Sequence, residues 1–253
     1  DRIPDASDVP PDGCIGQPSL GEVERNRGRG DVAADTLYWP YGLAWIGGRL
    51  HVADTGNRRV LVWNGLPERD VPADVVLGQA GMREAKENRG GPVGPSSFRW
   101  PHAIAGTDEM LFVADAGNHR VLGWSGRPTG DGPADVVLGQ KDFQSAWELP
   151  HQKQGPRRLR FPYGVALADD SLAVADTANN RVLFWRLPVG EPCASEASAV
   201  VGQYDFDACG ENHWKAVEAE TLCWPYGVCL HDGVMAVADS GNNRVMLWRR
   251  GGE

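Results

Sequence analysis

The sequence predicts an all-β propeller, and three observations carry that prediction. Four segments share one pattern: WPYGLAWIGGRLHVADTGNRRVLVW from Trp39, WPHAIAGTDEMLFVADAGNHRVLGW from Trp100, FPYGVALADDSLAVADTANNRVLFW from Phe161 and WPYGVCLHDGVMAVADSGNNRVMLW from Trp224. Their aspartates, Asp54, Asp115, Asp176 and Asp239, recur at intervals of 61, 61 and 63 residues, and self-similarity at a fixed period marks a repeat architecture. Within each copy the apolar residues alternate with the period of a strand, and no helical period is sustained.

Each copy divides into four short strands. The first is apolar and starts after Pro-x-Gly or Pro-x-Ala. The second places Leu50, Val52 and Asp54 on one face and His51 and Ala53 on the other. Thr55-Gly56-Asn57 then supplies a turn, after which Arg59, Leu61 and Trp63 alternate with Val60 and Val62. A fourth strand is read in ADVVLGQ ending at Gln79, ADVVLGQ ending at Gln140 and SAVVGQ ending at Gln203. Four antiparallel strands repeated radially make propeller blades.

The ends of the chain complement each other. IPDASDVPPDGCIGQ, ending at Gln17, matches the outer strand of a blade, whereas the last copy stops after its third strand at Trp248. The expected fold is therefore one domain over residues 1–253: four blades of four antiparallel strands, one blade closed by the N- and C-terminal strands. Cys14–Gln17 would pair beside Val245–Trp248 and remove the exposed sheet edges. A longer propeller cut at both ends reads the same way.

Composition narrows the function classes. Arg and Lys number 25 against 34 acidic residues, a net charge of −9, which repels phosphate backbones and argues against a nucleic-acid partner. No apolar run approaches the length of a membrane span. No signal-like apolar stretch follows Asp1, which leaves a cytoplasmic or an exported soluble protein open. The five cysteines contain no C-x-x-C pair, so zinc and thioredoxin-type chemistry lack their usual spacing. Cys209 and Cys223 bracket most of one loop and suit a disulfide in an oxidising compartment.

The pattern Pro-x-Gly, Leu-x-Val-Ala-Asp, Asn-x-Arg-Val resembles the NHL repeat over nearly the whole chain. Asp54/Asn57/Arg59, Asp115/Asn118/Arg120, Asp176/Asn179/Arg181 and Asp239/Asn242/Arg244 all fit it. The added VVLGQ-x-DF element at Val136–Phe143, found in part at Val200–Phe206, is similar to a long-repeat bacterial form. The resemblance implies a propeller, usually of five or six blades, that serves most often as an interaction module. Some relatives are metal-dependent lyases or lactonases, and some animal members bind RNA.

Repetition separates packing from function. The Asp-x-x-Asn-x-Arg set recurs in every copy and is read as structural. The carboxylate bonds turn N–H groups and the guanidinium neutralises it. Trp39, Trp100 and Trp224 before proline, with Trp63, Trp124, Trp185 and Trp248 on the third strand, are assigned to blade-to-blade packing.

Four loops, 18–38, 80–99, 141–160 and 204–223, cross one face of the disc, and their middles are read as non-repeating. Two of them carry the off-pattern Trp147 and Trp214. Loop 141–160 has five basic and two acidic residues, Arg157 among them, and loop 204–223 has one basic and five acidic. These charges either pair with each other or rim a binding site. Tyr41, His102, Tyr163 and Tyr226 start the innermost strands and are placed near the axis.

The expected function is a non-enzymatic scaffold that holds a protein partner on the loop face. Its binding residues would be Trp147, Trp214, His102, Arg157, Tyr41, Tyr163 and Tyr226. No catalytic residue, metal or cofactor is assigned. The alternative is a metal-dependent lyase or lactonase-like enzyme with an axial site, for which His102 lacks companions at ligand spacing.

Overall fold

The computed structural model describes residues 9–148, 151 and 153–249. The fold is an all-β, four-bladed propeller. Blade 1 runs β1 (Pro40–Ile46), β2 (Arg49–Asp54), β3 (Arg59–Trp63) and β4 (Val75–Leu77). Blade 2 runs β5 (Pro101–Gly106), β6 (Met110–Asp115), β7 (Arg120–Ser125) and β8 (Val136–Leu138). Blade 3 runs β9 (Pro162–Ala168), β10 (Ser171–Asp176), β11 (Arg181–Arg186) and β12 (Ala199–Val201). Blade 4 has β13 (Pro225–His231), β14 (Val234–Asp239) and β15 (Arg244–Arg249). Every sheet is an antiparallel meander in chain order. The innermost strands pack in series, β1 on β5, β5 on β9 and β9 on β13.

A buried ion pair organises each blade. Asp54, Asp115 and Asp176 and their partners Arg59, Arg120 and Arg181 are fully buried. One carboxylate oxygen of Asp115 accepts the Arg99 N–H at 2.8 Å. The other accepts from the Asn118 amide at 2.7 Å and from Arg120 Nε at 2.9 Å. Arg120 also donates to the Ser97 carbonyl of the preceding loop (2.8 Å) and the Phe143 carbonyl of the following one (2.7 Å). Asp54 and Arg59 repeat this scheme, reaching Thr36 (2.8 Å) and Met82 (2.6 Å). Arg181 reaches Arg158 (2.9 Å) and Phe206. Burial raises the Asp54 and Asp176 carboxyls, against the opposing pull of the surrounding donors. The motif is thus a structural clamp, as its recurrence implied.

Glycine at Pro-x-Gly is required by close approach between strands. A Cβ on Gly42 would lie 2.3 Å from the His102 carbonyl oxygen, and one on Gly164 2.9 Å from that of Tyr226. Three of the four third-strand tryptophans behave as expected, while Trp248 in blade 4 is only partly buried. Trp63, Trp124 and Trp185 are buried, and their indole N–H groups donate to the Val71, Gly132 and Ser195 carbonyls at 3.0–3.1 Å. The tryptophans before proline do not. Trp39, Trp100 and Trp224 are exposed, and Trp39 and Trp224 hold φ near +50°, a left-handed backbone that turns the ring away from the core.

Among the described residues the closure expected through the termini is not formed. Blade 4 has three strands among the described residues, and β15 pairs only with β14. Cys14–Gln17 forms no strand; Ile15 packs into blade 1 beside Val52, Leu61 and Trp63, and the Gly16 N–H donates to Asp70 at 3.1 Å. Residues 1–8, which begin that segment, lie outside the described residues. Leu37 meets Gly16 as Phe98, Leu159 and Leu222 meet Gly78, Gly139 and Gly202, so the segment stays with blade 1. β13 does not pack on β1 as the other innermost strands pack on one another, which leaves β15 apart from that segment.

The ring is consequently open at two faces. Val60, Val121 and Val182 on the third strands are 0% exposed, but their counterpart Val245 is 66% exposed and Leu247 59%. On the first strands Val165 and Leu167 pack into the preceding blade, whereas their counterparts Leu43 and Trp45 are 69% and 56% exposed.

The clamp predicts unequal blade sensitivity. Asp115→Ala strands a fully buried guanidinium and should cost about 3–5 kcal/mol. Asp239→Ala should cost less, because the Arg244 side chain already keeps 27% of its surface in water. Urea denaturation of both variants measures the difference; equal losses would count against this account.

Candidate functional site

The four axial residues converge. Tyr41 and His102 lie with ring centroids 4.3 Å apart, His102 meets Tyr163 edge-on at 4.4 Å, and Tyr163 stacks on Tyr226 at 5.1 Å. They line one end of an axial channel of about 560 Å³ walled by the innermost strands. The β-bulges between Pro40 and Leu43, and between Pro101 and Ile104, set this geometry by shifting the register where the aromatic side chain leaves the strand. Burial pushes the His102 imidazole from 6.5 down to about 4, so the ring is neutral at physiological pH. Burial, with the neighbouring Tyr226 and Tyr41 phenols, raises the Tyr163 hydroxyl. Among the described residues no three His, Cys, Asp or Glu side chains gather as metal ligands do.

A second cavity adjoins the channel. Trp100, Phe161, Tyr163, Trp214 and Trp224, with Arg160 and Glu211, line a cleft of about 470 Å³. Phe161 joins the two: its ring stands 6.4 Å from Tyr163 and 6.2 Å from Trp100. The cleft is held by polar contacts at its edge. The Trp224 indole donates to Glu211 at 2.8 Å, the Trp224 backbone N–H donates to the Asn180 side chain at 2.9 Å, and Arg160 pairs with Glu148 at 3.3 Å. Trp214, 76% exposed, ends the short 3₁₀ turn Glu211–Trp214, and its ring covers Gly210.

The structure thus brings Tyr163 and Trp214 onto one cleft and Tyr41, His102 and Tyr226 into the adjoining channel. It does not bring Trp147 or Arg157 to either. Trp147 is half-exposed beside Lys141. Arg157 pairs with Glu196 at 3.0 Å, so its charge is not matched by loop 204–223. Cys209 and Cys223 are free thiols rather than a disulfide; Cys223 is buried, which raises its thiol, and Cys209 sits at the cleft.

Sequence reasoning missed Trp100, Phe161 and Trp224 as surface groups, because their repetition spoke for packing. It also missed a repeat inside the loops. Asn26-Arg27-Gly28 and Asn88-Arg89-Gly90 form equivalent 3₁₀ turns, with Asn212 in the same place in the fourth loop. Asn26 and Asn57 exchange side-chain hydrogen bonds, as do Asn88 with Asn118 and Asn212 with Asn242. The shared Asn-Arg-Gly was the available signal. The third loop lacks it and uses Gln154 against Asn179 at 2.8 Å.

No protein-family model matches the chain, and no curated protein matches it. Solved structures do. A Bacteroides thetaiotaomicron protein of unknown function matches over 83% of this chain and 47% of its own, with TM-score 0.52 and 17% identity. The RRP9 WD40 repeats match over 84% of this chain and 49% of theirs (TM-score 0.47, 17% identity), and the computationally designed Ika4 protein over 84% and 91% (TM-score 0.45, 12% identity). The chain spans about half the length of the first two. At these identities the likeness speaks to the propeller fold alone.

The axial imidazole carries a pH signature. With a folded-state value below the unfolded one, the stability tied to neutral His102 is complete above pH 6.5 and is lost as pH falls towards 4. His102→Tyr, which restores the residue of the other three blades, should lose less stability than the parent between those limits. Urea midpoints across the range decide this, and parallel curves would refute it.

Proposed function

We propose that this chain is a non-enzymatic, NHL-type propeller that binds a protein partner on its loop-bearing face, and that the aromatic cleft at Trp214 is the core of that surface. The observation that carries this reading is the grouping of Trp100, Phe161, Trp214 and Trp224 at one opening. Protein interfaces favour large aromatics at the centre and a charged rim, and Arg160 and Glu211 stand in the rim position. The cleft is pre-organised, since clamped loops hold its walls, which lowers the ordering cost of association. The resemblance to NHL repeats, mostly interaction modules, agrees with it. Trp147 and Arg157 then belong to the outer margin rather than the centre.

Trp214→Ala removes the most exposed wall without touching a blade. It should leave the melting transition in place and weaken partner capture by more than about 1 kcal/mol. Trp147→Ala should weaken it less. Affinity capture from extracts of the native organism, followed by titration of the identified partner, gives the measurement. A tightly held stoichiometric divalent ion in the purified protein would instead favour a lyase or lactonase.

A further inference from the structure

The two open faces are complementary in their hydrogen bonds as well as in their apolar side chains. Within the chain, two kinds of contact recur across the blade-to-blade junctions, each at two of the three. The Thr55 and Thr177 hydroxyls donate across the junction to the Pro101 and Pro225 carbonyls at 2.5 and 2.6 Å. His119 Nδ1 and the Asn180 side chain accept the Phe161 and Trp224 backbone N–H groups at 3.2 and 2.9 Å. Within each complete blade, the Gln79, Gln140 and Gln203 amides at the end of the outer strand donate to the Arg58, His119 and Asn180 carbonyls of the same blade at 2.9–3.0 Å.

Blade 4 carries one half of a fourth such junction. Ser240 Oγ keeps only the contact to its own Ala238 carbonyl (3.4 Å), the equivalent of the second bond that Thr55 and Thr177 make. The Arg244 Nη1, whose counterparts reach Met82, Phe143 and Phe206, has no such acceptor among the described residues. Blade 1 carries the other half. Gln17 makes the bond to Glu24 (2.8 Å) that Gln79 makes to Lys86, but among the described residues it has no counterpart of the bond that ties Gln79 to Arg58 of its own blade. By register, Pro40 would accept from Ser240, Leu20 from Arg244, and Asn243 from the Gln17 amide and the Trp39 N–H. Leu43 and Trp45 would cover Val245 and Leu247.

These halves belong to one chain yet do not meet among its described residues, since β13 does not pack on β1 as each innermost strand packs on the next. We propose that they meet between two copies: blade 4 of one chain docks on blade 1 of a second, and two such contacts close a ring of eight blades. A heterologous contact closes when its rotation allows, and eight blades lie within the range of known propellers. The second copy also completes the wall of the axial channel, so the site at Tyr41 and Tyr226 is enclosed only in the pair.

Light scattering on the purified chain tests this. The expected mass is twice that of the chain. Leu43→Glu and Leu247→Glu, each on an already exposed position, should each abolish the ring while leaving the melting transition intact. An equimolar mixture of the two variants retains one unaltered face from each and should restore a 1:1 pair. A monomer for the parent, or an assembly whose mass neither variant changes, would overturn the proposal. Partner capture by the Trp214 cleft is scored separately, so either reading can fail alone.

Discussion

Each complete blade of this propeller hangs on a carboxylate and a guanidinium that have left water together. Asp115 and Arg120 are wholly buried, and so are their equivalents in blades 1 and 3. Removing two charges from water is costly, and the cost is met only when every donor and acceptor has a partner. Arg120 meets that condition by tying its own sheet to the loop before it and the loop after it. One side chain therefore sets the order of three chain segments. Blade 4 shows the dependence from the other side: no following loop reaches Arg244 among the described residues, and its guanidinium is partly in water.

The same clamps explain why the long loops hold a surface. A twenty-residue connection without structure would be entropically expensive to order on binding. Here the Asn-Asn exchanges, replaced by Gln154 and Asn179 at the third loop, and the carbonyl contacts to arginine fix each loop at several points. The chain then enters the innermost strand through a left-handed residue, at Trp39, Phe161 and Trp224. Apolar rings are presented outward at a cost in backbone strain. A position repeated for structural reasons thus becomes the wall of a cleft.

The exposed faces at the two ends follow from one rule applied with a missing neighbour. Val182 and Val245 occupy the same place in their strands and differ only in what lies against them. The apolar residues at the open faces are not random surface. They are core positions of a propeller, and contiguous apolar patches of this kind mark places where another surface packs.

Much of this was legible in the residues. Strand boundaries, the meander order and the clamp follow from local alternation and from the recurrence of Asp, Asn and Arg, because these interactions lie within one blade or its adjoining loops. The axial grouping of Tyr41, His102, Tyr163 and Tyr226 was legible for the same reason: equal positions in equal repeats share a radius. Tertiary structure alone decided three things. It exposed Trp39 and Trp224, because a left-handed φ reverses the side-chain direction that alternation implies, and it exposed Trp100 as well. It separated Arg157 from loop 204–223, because Glu196 lies nearer. And it left the ring open, because burial of a blade face depends on the neighbour that packs there, which no property of the face itself encodes.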